Sequence, residues 1–113
     1  MSADVFVAYY GIRYDVPADS SEIEQLEMGT HPLMRMADQA NLDLWWSGLP
    51  NDVETGYPVF VGKQLGIIGA EYDLEIQLSA QELLDAMQET HRNFQRAGIQ
   101  TEPKLFLHVE LDA

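Results

Sequence analysis

The chain has no cysteine, only two lysines (Lys63 and Lys104) and no long apolar run. The first absence excludes disulfides, thiolate nucleophiles and cysteine-based zinc sites. No segment approaches the roughly 20 apolar residues that a membrane-spanning helix needs. Met1-Ser2-Ala3-Asp4 shows no basic stretch leading into an apolar run, so the expected compartment is the cytoplasm. Basic residues are scarce: six Lys and Arg stand against nineteen Asp and Glu, a formal charge of −13. That charge repels phosphate backbones and anionic lipid, so neither nucleic acid nor a membrane is an expected partner. It attracts a basic protein, although an acidic surface can equally reflect the host's environment.

What is present describes a folded protein. Of 113 residues 46% are hydrophobic, and the two Trp, five Tyr and four Phe supply large side chains to bury. No Pro, Gly or Ser run divides the chain, which reads as a single domain over residues 1–113.

From Val5 to Val16 the set Phe6, Ala8, Tyr10, Ile12, Tyr14 and Val16 alternates with a second set that ends in Arg13 and Asp15, the period-2 signature of a strand. Gly11 is expected to mark a bulge. Ser21 and Glu24 make a capping-box pattern, and Gly29 with Pro32 divides the helical stretch into two pieces, Ser21 to Met28 and Pro32 to Ala40. Leu42 to Ser47 reads as a short strand, and Gly48 to Asp52 as a turn-rich loop. Tyr57 to Leu65 and Asp73 to Leu78 read as a hairpin, the latter because Leu74, Ile76 and Leu78 alternate with polar residues. Ser79 and Glu82 cap a helix from Ala80 to Ala97, with Leu83, Leu84, Met87 and Phe94 on one stripe and Gly98 as its stop. A last strand runs from Lys104 to Leu111.

The expectation is an α+β fold with a mostly antiparallel sheet of about five strands and two helical regions, in the order β-α-β-β-β-α-β. This order resembles a ferredoxin-like β-α-β-β-α-β arrangement with one strand added, a resemblance of element order that implies no function.

No catalytic motif is visible. Glu27 and His31 stand four apart, but Gly29 and Pro32 break the helix that would align them, and no metal is expected there. His91 reads as a structural histidine at the core edge. His108 shares its strand face with Phe106 and titrates near neutrality when unperturbed, yet no nucleophile stands at a meaningful spacing. Gly62, Gly66 and Gly69 match no nucleotide-binding fingerprint and read as turns or bulges, so no cofactor is expected. The acids Asp19, Glu22, Glu24 and Glu27 are either a solvated helix face or a docking surface for a basic partner.

The apolar content exceeds what one sheet face needs. If the helices cover Phe6, Tyr10, Leu74, Ile76, Leu105, Leu107 and Val109, the opposite face carries Val5, Val7, Tyr9, Phe106 and one of Trp45 and Trp46. Such a face is either an interface or is covered by the chain's own loops. The expected function is that of a small acidic non-enzymatic protein that binds another protein, of inhibitor, immunity or adaptor type. Tyr9, Arg13, Trp45, Trp46, Phe106 and His108 are its candidate binding residues. The alternative is a small-molecule or catalytic domain built on an aromatic pocket with His108 and Arg13. A homodimer through the second sheet face is compatible with either.

Overall fold

The alternation that begins at Val5 forms one strand as far as Val16 (β1). The computed structural model describes residues 4–17, 21–47 and 56–110. After β1 come α1 (Glu22–Met28), α2 (Pro32–Gln39), β2 (Asp43–Trp46), β3 (Tyr57–Ile68), α3 (Ala80–Ala97) and β4 (Lys104–Glu110). The fold is α+β. The strands form one sheet in the order β2-β3-β1-β4, antiparallel at every junction. The turn-rich loop expected at Gly48 to Asp52 and the acid Asp19 lie outside the described residues.

The described elements are therefore four strands and three helices, where five strands and two helical regions were expected. The missing strand is Asp73 to Leu78. β3 runs on to Ile68 and ends in a tight turn, in which the Tyr72 amide donates to the Gly69 carbonyl at 3.1 Å. The chain makes one isolated bridge, Ile68 with Asp73, and then leaves the plane of the sheet. Ile76 packs over Gly66, in space that a β-carbon there would take, since it would lie 2.7 Å from Ile76 Cγ1. Leu74, which alternation assigned to the core, is 92% exposed.

Gly29 takes the left-handed conformation (φ 74°) that ends α1, and Pro32 opens α2, as their chemistry requires. The expected capping box at Ser21 does not form. Ser21 already has helical dihedrals (φ −68°, ψ −11°), whereas a capping hydroxyl needs an extended backbone to reach the amides ahead of it. Ser79 has that extended backbone, and its box with Glu82 closes at both ends.

All three helices belong to the side of the sheet carrying Ile12, Val16, Val59 and Val61, where Leu26, Ala37 and Phe94 complete a core. α3 turns Ala86, Thr90, Asn93 and Phe94 inward, so of the stripe expected to be buried Phe94 is in the core, Leu83 and Met87 are half-buried at its edge, and Leu84 is nearly half exposed.

The irregularity expected at Gly11 is displaced. The register slips at Leu65, because Ala8 faces Gly66 while Tyr9 faces Gln64. Gly11 instead lies opposite Gly62, and the strands touch there. A β-carbon on Gly11 would lie 2.0 Å from the Val61 carbonyl oxygen, and one on Gly62 would lie 2.3 Å from that of Tyr10. No side chain fits at either position, which marks a sharp bend in the β1–β3 ribbon.

Candidate functional site

On the face away from the helices Phe60 is the hub of an aromatic cluster. Its ring centroid lies 6.0 Å from Tyr9, 6.0 Å from Trp45, 5.4 Å from Phe106 and 5.2 Å from His108. The Arg13 guanidinium carbon stands 5.9 Å above the same ring, within cation–π range. Five of the six residues singled out in the sequence thus meet around one ring.

Trp45 and His108 lie on β2 and β4, the two edges of the sheet, yet their rings are 6.0 Å apart. Three steps between strands in a flat sheet span about 14 Å. The sheet therefore rolls around this face, and the bend at Gly11 and Gly62 allows it. Tyr9 and Phe60 are each only 1% exposed. Burying rings of this size stabilises the fold by roughly 2 to 3 kcal/mol each.

Trp46 is separated from this group. Neighbouring residues of a strand point to opposite faces, so with Trp45 in the aromatic cluster Trp46 faces the helices, where it packs into the core and against Tyr57 at 6.1 Å. Phe60 itself escaped the sequence reading. It sits in the run Val59-Phe60-Val61, where no polar neighbour reveals which side is which.

The polar groups of the cluster are unequally served. Tyr9 Oη donates to Gln64 Oε1 at 3.0 Å, and burial, reinforced by the Asp43 carboxylate, pushes its pKa far above the ordinary phenol value. Asp43 in turn accepts from the backbone N–H of Gln64 at 2.9 Å. Arg13 is held by Asp15 at 2.8 Å. His108 Nε2 is buried with no hydrogen-bond partner among the described residues. Burial, and then the Arg13 charge, lower the His108 pKa, so the ring is neutral at pH 7.

The other histidines have structural work. His31 Nδ1 accepts from the Leu33 amide at 3.0 Å and caps α2, which leaves the proton on Nε2 to donate to Glu22 Oε1 at 3.0 Å. Glu22 is thus occupied within the fold, while Glu24 and Glu27 are exposed on α1. His91 is exposed and shares a 2.8 Å hydrogen bond with Tyr10 Oη. Among the described residues no three His, Asp or Glu side chains gather closely enough to hold a metal ion.

The open apolar surface lies on the helix-facing side, opposite to expectation. Phe6 is 50% exposed, Leu105 53% and Leu107 78%. Phe6 and Leu107, with Ala8, Ile68, Ile76 and Val109, border a groove of about 420 Å³ over the end of the sheet that the helices leave bare. The helices pack mainly toward β3 and the Ile12–Val16 half of β1, with α3 also touching Tyr10, and they leave Leu105 and Leu107 of β4 exposed. Meanwhile the face expected to be in surplus is covered by its own rings.

Ile76 of this groove belongs to a segment in which Tyr72 and Leu74 are exposed and whose charges, Glu71, Asp73 and Glu75, are all exposed acids. From Gln64 to His91 the chain contains no Lys or Arg, and Glu82, Asp85 and Glu89 extend the acidic run. The alternation of β4 had revealed the leucine set, but not that the set would stay uncovered. No helix among the described residues is long and apolar enough to cross a membrane. Comparison with protein-family models, curated proteins and solved structures finds no match to this chain.

Proposed function

We propose that this chain is a small acidic non-enzymatic protein of inhibitor, immunity or adaptor type, which binds another protein through the groove of Phe6, Ile76, Leu107 and Val109. The observation that carries this reading is an uncovered apolar sheet face bordered by exposed acids. Apolar patches of this kind mark interfaces more often than bare surface. The acids select the partner: an apolar segment flanked by Lys or Arg is drawn in electrostatically, whereas a second copy of a chain of charge −13 is repelled.

The contact surface moves from the face of Tyr9, which is buried, to the helix-facing side of the sheet, where Trp46 is itself packed into the core and leaves the groove to Phe6, Ile76 and Leu107. Phe60 occupies the centre of the aromatic cluster, which weighs against the aromatic-pocket alternative. The strand order and the helical connections after β1 and β3 support reading the fold as ferredoxin-like, with its first helix broken at Gly29.

Wild type and Leu107→Glu, each tagged, are used to capture partners from host lysate at low and high salt. Leu107→Glu keeps stability within about 0.5 kcal/mol, as expected for an exposed site. It lowers affinity by about tenfold or more, because a charge then sits at the desolvated centre. A single stoichiometric basic protein, released by salt and lost with Leu107→Glu, supports the reading. Equal recovery on both baits, or recovery of the chain alone, overturns it.

A further inference from the structure

A second concavity, of about 510 Å³, lies between α2 and α3 on the far side of the core from the aromatic cluster. Its volume is that of a small-molecule site. Arg35, Met36 and Gln39 of α2, Asn41 of the connection to β2, and Asn93 and Arg96 of α3 line it.

The composition of this lining is the opposite of the chain's. Nineteen acids and six bases make up the whole, yet two of those six bases meet here and no Asp or Glu lines the cleft. Among the described residues the ion pairs are Arg13 with Asp15 and His31 with Glu22, so neither Arg35 nor Arg96 is paired with a carboxylate of those residues. The amides are placed as well. Asn93 is buried, and its Nδ2 donates to the Asn41 carbonyl at 3.2 Å, while Asn41 itself sits in the left-handed region (φ 57°). One N–H and the carbonyl oxygen of the Asn93 side chain remain available. The C-terminal dipole of α3 accounts for a base at Arg96. It does not account for Arg35 on the facing helix, for three amides, or for the exclusion of acids.

We infer that this cleft binds a small organic carboxylate, its acid group held by the Arg35 and Arg96 guanidinium forks and Asn93, and its apolar body against Met36. Guanidinium matches a carboxylate in two parallel hydrogen bonds, a geometry that lysine lacks. The distant acids that oppose an anion are screened at physiological ionic strength, where the Debye length is about 8 Å, and the contacts inside the cleft are much shorter than that.

The test is a titration of the ¹⁵N-labelled full chain with succinate, benzoate and inorganic phosphate in separate series at physiological salt, monitored by NMR. Saturable shifts confined to the amides and arginine Nε signals around Arg35, Asn41, Asn93 and Arg96, for at least one carboxylate, are expected. Arg35→Gln and Arg96→Gln each weaken binding by roughly tenfold, the loss of one charge-assisted pair. Arg35→Lys, which keeps the charge and loses the fork, weakens it as well, and Lys104→Gln on β4 leaves it within about twofold, as a site untouched by the ligand should. Both arginines are exposed, so unchanged spectra elsewhere verify that the variants fold. Shifts that fail to saturate, or that survive both glutamine substitutions, overturn the site. Saturation by phosphate with neither carboxylate binding overturns the assignment of ligand class.

Discussion

Replacing His108 by Phe should make this protein more stable, and increasingly so as the solution is acidified. The His108 ring already lies among aromatic rings, 5.2 Å from Phe60 and 6.0 Å from Trp45, and its Nε2 is buried without a partner among the described residues. An unsatisfied buried polar atom costs about 1 to 3 kcal/mol, and the lower end applies because the residue as a whole is only half-buried. A phenyl ring removes that cost while keeping edge-to-face contacts of about 0.5 to 1.5 kcal/mol. The net expectation is about 1 kcal/mol in favour of His108→Phe at pH 7.5, or roughly 4 °C in melting temperature for a domain of this size. In the folded state the His108 pKa lies below the ordinary value of 6.5, so between those two values the unfolded chain binds more protons. The neutral ring's contribution is present in full above 6.5, is lost as the pH falls through the lowered folded value, and changes no further below it. The phenylalanine variant lacks this loss. Urea titrations of both proteins across pH 5 to 8 measure it, since slopes due to carboxylates are common to both and cancel in the difference. A variant less stable than wild type at pH 7.5, or a difference that does not vary with pH, refutes the reasoning.

Gly62→Ala brings a β-carbon to 2.3 Å from the Tyr10 carbonyl oxygen, a backbone atom that cannot swing aside. A loss of about 2 kcal/mol or more is expected by chemical denaturation, with weakened near-ultraviolet circular dichroism from the rings around Phe60. Wild-type stability in this variant would mean that the glycine pair does not shape the sheet. His31→Ala removes the cap of α2 together with the Glu22 bond and is expected to lose about 1 to 2 kcal/mol. His31→Asn, which keeps a capping acceptor, should recover part of that loss. Equal stability of the two variants would show that the Leu33 bond is not what the histidine contributes.

Several elements were legible because their signals are local. β1 and α3 begin and end where alternation, the Ser79 box and Gly98 place them, and the interruption at Gly29 and Pro32 divides α1 from α2. The failures share a different cause. Leu74, Ile76 and Leu78 alternate like a strand, but alternation does not tell whether a neighbouring edge is there to receive one. In the same way β4 declared two faces without saying which of them a helix would reach. That Tyr9, Arg13, Trp45, Phe106 and His108 assemble around Phe60 depends on the bend, which two isolated glycines do not announce in a sequence. The cleft of Arg35 and Arg96 was equally hidden, because the dipole of α3 offered a sufficient reason for Arg96 and Arg35 stood alone.

The glycine pair at Gly11 and Gly62 also settles how much surface each side of the sheet presents. A sheet rolled about one face has a short inner surface and a long outer one. The inner surface is small enough for a handful of rings to fill without help from any helix. The outer surface exceeds the footprint of three short-to-moderate helices, and the remainder is Phe6, Leu105 and Leu107. The bare apolar strip and the sealed aromatic cluster are thus two results of one curvature, and flattening the sheet would alter both together.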